Sequence, residues 1–156
     1  MKKNIGTMVV CIAVGFLMGQ FLLGQYQKEE KTNTLPVMET EENLYFLQQG
    51  VYSNLDGMKQ NLTDFEYYIY TEKEGKYYVY VAIIQSEANL NKLKGFFNQM
   101  GYDIYVKEIP VKSAAFMEVL NQYEQLLNGT EDQKTIKAAC AQILAKYEEL
   151  VLNGEN

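Results

Sequence analysis

Histidine, arginine and tryptophan are all absent from this chain of 156 residues, and cysteine and proline occur only twice each. Without histidine there is no side chain that ordinarily titrates near neutral pH, and the commonest zinc ligand is missing. Without arginine there is no planar fork to grip phosphate bidentately. Cys11 falls inside a long apolar run and Cys140 in a C-terminal amphipathic segment, so the two cannot pair within one chain. Cys140 lies on an apolar helix face and reads as a small buried hydrophobe. No G-x-x-x-x-G-K-[ST], C-x-x-C or nucleophile-histidine arrangement occurs. The paired carboxylates Glu41-Glu42, Glu131-Asp132 and Glu148-Glu149 fall on a tether or on solvated helix ends. The expectation is a non-enzyme with no catalytic residue, no metal site and no cofactor.

Positive charge is also scarce. Fourteen lysines face 20 acids, for a net charge of −6, and beyond residue 24 the balance is 12 lysines against 20 acids, or −8. Such a surface repels a phosphate backbone, so nucleic acid is not an expected partner. The length supports one modest domain with additional segments.

Charge is missing altogether from Ile5 to Leu23, a run of 19 residues broken only by the polar Thr7 and Gln20. That length just spans a bilayer core of roughly 30 Å. Lys2 and Lys3 precede it, so the N-terminus is expected in the cytoplasm and the remainder outside, on a single-pass anchor. A cleaved signal peptide is the other reading of such a run. The sequence Gln20-Phe21-Leu22-Leu23-Gly24-Gln25 offers no small-x-small cleavage site, which favours the anchor. Within the run Gly15 and Gly19 form a G-x-x-x-G, a spacing that lets two helices approach closely and could pair two copies; the C-terminal helices offer a second possible dimer contact. Asn61 and Asn128 fit glycosylation sequons, which matter only on a eukaryotic secretory route.

Residues 25–42 are polar and acidic, contain Pro36, and read as a tether whose full stretch is on the order of 60 Å. Residues 43–112 repeat a strand, helix, strand pattern. Leu44 to Tyr52 and Tyr77 to Ile84 begin the two copies, and Tyr67 to Thr71 and Asp103 to Ile109 close them. Asn54 and Ser86 are positioned as helix caps. The helical stripes are Leu55, Met58, Leu62 and Phe65, then Leu90, Leu93, Phe96, Phe97 and Met100, with Gly101 as a stop. Glu72 to Lys76 reads as a hairpin loop, and Pro110 as the end of the last strand. This order predicts an α+β domain, a four-stranded antiparallel sheet with both helices on one face. Residues 113–156 predict a helical hairpin, its second helix opened by a capping box of Thr130 and Gln133. Two apolar faces there require a cover: each other, the sheet, or another chain.

Side chains alternate across a strand. Placing Tyr45, Leu47, Ile69, Val79, Val81, Ile83, Ile104 and Val106 toward the helices leaves Ala82, Asp103 and Lys107 on an open face, with a surface of Phe46, Gln48, Tyr68, Tyr70, Tyr78, Tyr80 and Tyr105. Aromatic rings with polar tips can stack on sugar faces while bonding hydroxyls, and such a patch marks an interaction site. Tyrosine is also a good strand former, so cross-strand stabilisation without any ligand is the competing explanation.

Leu47-Gln48-Gln49-Gly50-Val51-Tyr52-Ser53-Asn54 resembles the V-Q-x-G-x-F-S-[SN] opening of SPOR domains, the sporulation-related repeat. Tyr78-Val79-Tyr80-Val81-Ala82-Ile83-Ile84, with Met100-Gly101-Tyr102-Asp103-Ile104-Tyr105-Val106, resembles the second half of that pattern. Ala82 and Ile84 stand where the pattern has glycine and an aromatic. The likeness covers about residues 43–110. It implies a SPOR/ferredoxin-like βαββαβ fold that binds peptidoglycan glycan strands stripped of their peptides, often from a single-pass anchor at division or sporulation septa. By this resemblance Gln48, Gly50 and Tyr52 take motif positions, and Tyr78 and Tyr80 lie on the equivalent binding face. A second expectation is a membrane-anchored scaffold that binds another envelope protein through the sheet face or the hairpin. A third is a sheet with no ligand, holding the helices within an oligomer.

Overall fold

A computed structural model describes residues 41–154. The elements are β1 (Glu42–Tyr52), α1 (Leu55–Asn61), β2 (Ile69–Lys73), β3 (Lys76–Ile84), α2 (Glu87–Gln99), β4 (Tyr105–Val111), α3 (Ala114–Gly129) and α4 (Gln133–Tyr147), followed by a π-helical turn Glu148–Leu152. The strands form one antiparallel sheet in the order β2-β3-β1-β4. Among the described residues no helix is long and apolar enough to cross a membrane. The apolar run Ile5 to Leu23, with Gly15 and Gly19, lies outside the described residues.

Local chemistry accounts for most of the boundaries. The Asn54 side chain accepts the Gly57 N–H at 2.7 Å and opens α1. Ser86 does the same for Asn89 at the start of α2. Gly101 leaves α2 with a positive φ of 90°, and the Tyr102 N–H returns to the Phe97 carbonyl at 2.9 Å. Between β2 and β3 only Glu74 and Gly75 turn the chain, both with positive φ, as a tight hairpin of right-handed twist requires. Two expected boundaries are corrected. The cap of α4 is Asp132, which accepts from Thr135 N–H at 2.8 Å and from its hydroxyl at 2.7 Å; Thr130 only steadies Asp132. Strand β4 continues through Pro110, which sits opposite Asn43 on an edge strand, where a missing N–H is tolerated.

The larger correction concerns the sheet faces. Along β1 and β3 the register steps from Leu47↔Ala82 to Gln48↔Tyr80 and then to Gly50↔Val79. Val81 is therefore an extra residue in β3 and Gln49 one in β1, and each bulge reverses the alternation of its strand. Phe46, Gln48, Val51, Ile69, Tyr78, Tyr80 and Ile83 consequently share one face. Leu47, Val79, Ala82 and Ile84 lie on the other, with α1 and α2 and their buried Met58, Leu93, Phe96 and Phe97. The expected inward positions Ile69 and Ile83 thus face away from α1 and α2, and Ala82, expected on the open face, is buried on their side.

They are nevertheless buried, because the C-terminal hairpin covers that half of the sheet. Tyr147 packs edge-on against both Phe46 and Phe116, each at 5.3 Å between centroids, and Phe46 meets Tyr80 at 5.6 Å. The Tyr67 hydroxyl donates to Glu148 beyond the end of α4. At its other end the hairpin grips α2. The Glu124 carboxylate accepts the N–H groups of Gln85 and Ser86, the latter at 2.9 Å, and its carbonyl accepts from Asn89 at 3.1 Å. Lys92 reaches the Leu127 carbonyl at 2.7 Å and pairs with Glu131 at 2.9 Å, placing a cation at the C-terminal end of α3. Phe116, Leu120, Leu127, Ile136, Ile143 and Leu144 are all buried within this one chain. The hairpin and the sheet share a single core, so residue 112 marks a change of structure type.

Candidate functional site

The strand register places five of the nine expected site residues on one face: Phe46, Gln48, Tyr78, Tyr80 and Tyr105. Two of these are core. Phe46 and Tyr80 are each only 2 % exposed beneath the hairpin, so the expectation of an open surface at them is corrected. Alternation along a strand assigns a face; it does not say whether a distant segment returns to cover it.

Past Tyr80 the hairpin ends and the face opens. Gln48 on β1 sits opposite Tyr105 on β4, whose side is 66 % exposed. Tyr78 on β3 sits opposite Val51 on β1 and Thr71 on β2. Lys107, on the same face as Tyr105, brings its ammonium to 5.8 Å above the Tyr78 ring centre, a cation–π distance. Tyr78 and Tyr105 stand on strands separated by β1, two strand spacings or ~10 Å apart. The candidate site is this uncovered end: Gln48, Val51, Thr71, Tyr78, Tyr105 and Lys107.

The remaining expected residues lie elsewhere. Gly50 pairs with Val79 and Tyr52 with Tyr77, which puts both on the reverse face. Their relation is structural. The Tyr52 ring lies over Gly50 so closely that a Cβ there would meet its Cε2 at 3.1 Å, while the Tyr52 hydroxyl donates to Gln49 at 2.8 Å. The ring thus ties down the bulged residue. Tyr70 pairs with Val79 and contacts Tyr77 edge-on at 5.7 Å, also on the reverse face. Its expected placement beside Tyr78 is corrected, since Ile69 belongs with Tyr80. Tyr68 is half-buried ahead of β2 and outside the paired ladder. Val51 and Thr71 were not among the expected site residues. Recognising Val51 in the sequence requires knowing that Gln49 is a bulge, and recognising Thr71 requires knowing that Ile69 pairs with Tyr80.

Away from this face the perturbed groups are structural. The Tyr102 hydroxyl donates to Asp64 at 2.7 Å, and that bond, with burial and the carboxylate charge, pushes its pKa up to about 12. Burial likewise pushes the Cys140 thiol up to about 12. Comparison with family models, with curated proteins and with solved structures gives no match.

Proposed function

We propose that this chain is a single-pass membrane protein whose domain outside the cytoplasm binds peptidoglycan glycan strands, peptide-denuded ones above all, without catalysis, in sporulation or cell division. The anchor is the run Ile5 to Leu23, and the resemblance to SPOR domains motivates the ligand. One observation carries the reading: although the hairpin covers Phe46 and Tyr80, the sheet leaves Gln48, Tyr78 and Tyr105 together on an open surface. Two tyrosines on strands ~10 Å apart, offset along the sheet with an amide on the strand between, offer stacking faces for linked sugar rings and a donor and acceptor for their hydroxyl and acetamido groups. Because the hairpin spends its apolar stripes inside its own chain, this sheet end is also the surface on which a protein partner would sit.

The test is retention on glycan. Tyr78→Ala combined with Tyr105→Ala should abolish co-sedimentation with amidase-treated sacculi while the far-UV circular dichroism stays native. Full retention by the folded double variant would refute the assignment of the site.

A further inference from the structure

The charges on the open end of the sheet are sorted by face. Lys73 and Lys76 sit directly opposite each other beside the tight turn, in register with Thr71 and Tyr78 and therefore on the same face as Lys107. The strand acids lie elsewhere. Glu72 pairs with Tyr77, and Glu108 with Tyr45, both on the reverse face. Glu42 stands at the far, covered end of the sheet, bonded to the Gln85 amide. At its paired strand positions the open face thus presents three lysines and no carboxylate, in a chain whose net charge is −6; the exposed acids beside it are Glu74, in the turn between Lys73 and Lys76, and Asp103, just ahead of β4. Among the described residues none of the three lysines forms an ion pair with a carboxylate. Like charges directly opposite across a sheet are unfavourable, and here the pair stands on the surface that carries the tyrosines.

We infer that this face selects an acidic glycan, one whose sugars bear free carboxylates. Lys107, held over Tyr78, supplies the contact nearest the stacking rings, with Lys73 and Lys76 extending the positive field toward the β2–β3 turn. This rests on the glycan-binding reading and adds to it the charge of the ligand. It also gives a physical basis for preferring a denuded strand. Removing a peptide from an amide-linked lactyl group leaves a carboxylate on the sugar, which a lysine can pair with and a tyrosine platform alone would not distinguish. The net negative charge of the chain disfavours contact with such a polymer away from these lysines.

The experiment compares two forms of one glycan preparation, amidase-treated strands with free carboxylates and the same strands with those carboxylates converted to neutral amides. The full chain is used, in mild detergent, as wild type, Lys107→Gln, and the triple variant Lys73→Gln, Lys76→Gln, Lys107→Gln. Wild type should bind the acidic form at least about tenfold more tightly than the amidated one, a difference of about 1.4 kcal/mol. The preference should shrink in Lys107→Gln, vanish in the triple variant, and weaken as salt is raised from about 0.1 M to 1 M. Equal binding of both forms by wild type, or an undiminished preference in the triple variant, would overturn the inference and leave glycan binding standing. Binding to neither form would overturn both.

Discussion

Phe46 separates a core reading from a ligand reading of the aromatic residues. Its ring is 2 % exposed and makes edge-to-face contacts with Tyr80 and Tyr147 at 5.6 and 5.3 Å. Truncating a buried phenylalanine to alanine costs about 3–5 kcal/mol, of which two aromatic pairs at ~0.5–1.5 kcal/mol each form a part. For a domain of this size the urea slope is about 1–3 kcal/mol/M, so Phe46→Ala should lower the unfolding midpoint by roughly 2 M. Tyr80→Ala should behave similarly. Tyr105→Ala, at a side chain 66 % exposed, should move it by less than about 0.5 kcal/mol. Urea titrations of the full chain in mild detergent, followed by far-UV circular dichroism, read all three; the chain has no tryptophan to report by fluorescence. A Phe46→Ala midpoint equal to wild type would refute the placement of the hairpin on the sheet.

Three further expectations follow from buried or bonded groups. Glu124→Ala should destabilise by about 2–3 kcal/mol, because the Gln85 and Ser86 N–H groups lose their acceptor at the junction of α2 and α3; Glu124→Gln, which keeps an oxygen there, should cost less in the same urea assay. In a Cys11→Ser background Cys140, with its pKa raised to about 12 by burial, should resist a thiol reagent at pH 8 until urea unfolds the chain; prompt labelling of the native state would contradict its packing. Tyr102 keeps its proton in the fold up to about pH 12, while an ordinary tyrosine loses it near 10, so its bond to Asp64 contributes stability below pH 10 that is lost as pH rises toward 12. Tyr102→Phe should flatten that part of the alkaline decline in thermal melting temperature; an unchanged slope would count against the bond.

The strand and helix order was legible because each element carries its own local signal. Asn54 and Ser86 cap, Gly101 stops, and the period of the apolar residues changes between strands and helices. The sheet faces were legible only in part. Alternation correctly groups Phe46, Gln48, Tyr78, Tyr80 and Tyr105, but it misplaces Ile83, since nothing local marks Val81 as an extra residue, and Ile69 and Tyr70, since nothing local sets Ile69 opposite Tyr80. Covering of the face is a long-range event. The contact of Tyr147 with Phe46 joins residues 101 positions apart, and the sequence states only that both sides of the hairpin are apolar. The SPOR-like motif residues illustrate the same limit. Gly50 and Tyr52 stand two positions apart in the motif, and the structure uses them, on the reverse face, to fix the bulge at Gln49.

Co-sedimentation of the full chain with two wall preparations, intact peptidoglycan and sacculi denuded by an amidase, decides whether this domain holds glycan. Retention that rises on the denuded material and is lost in the Tyr78→Ala, Tyr105→Ala variant is the predicted result. No retention on either preparation by a natively folded chain would refute glycan binding by this domain.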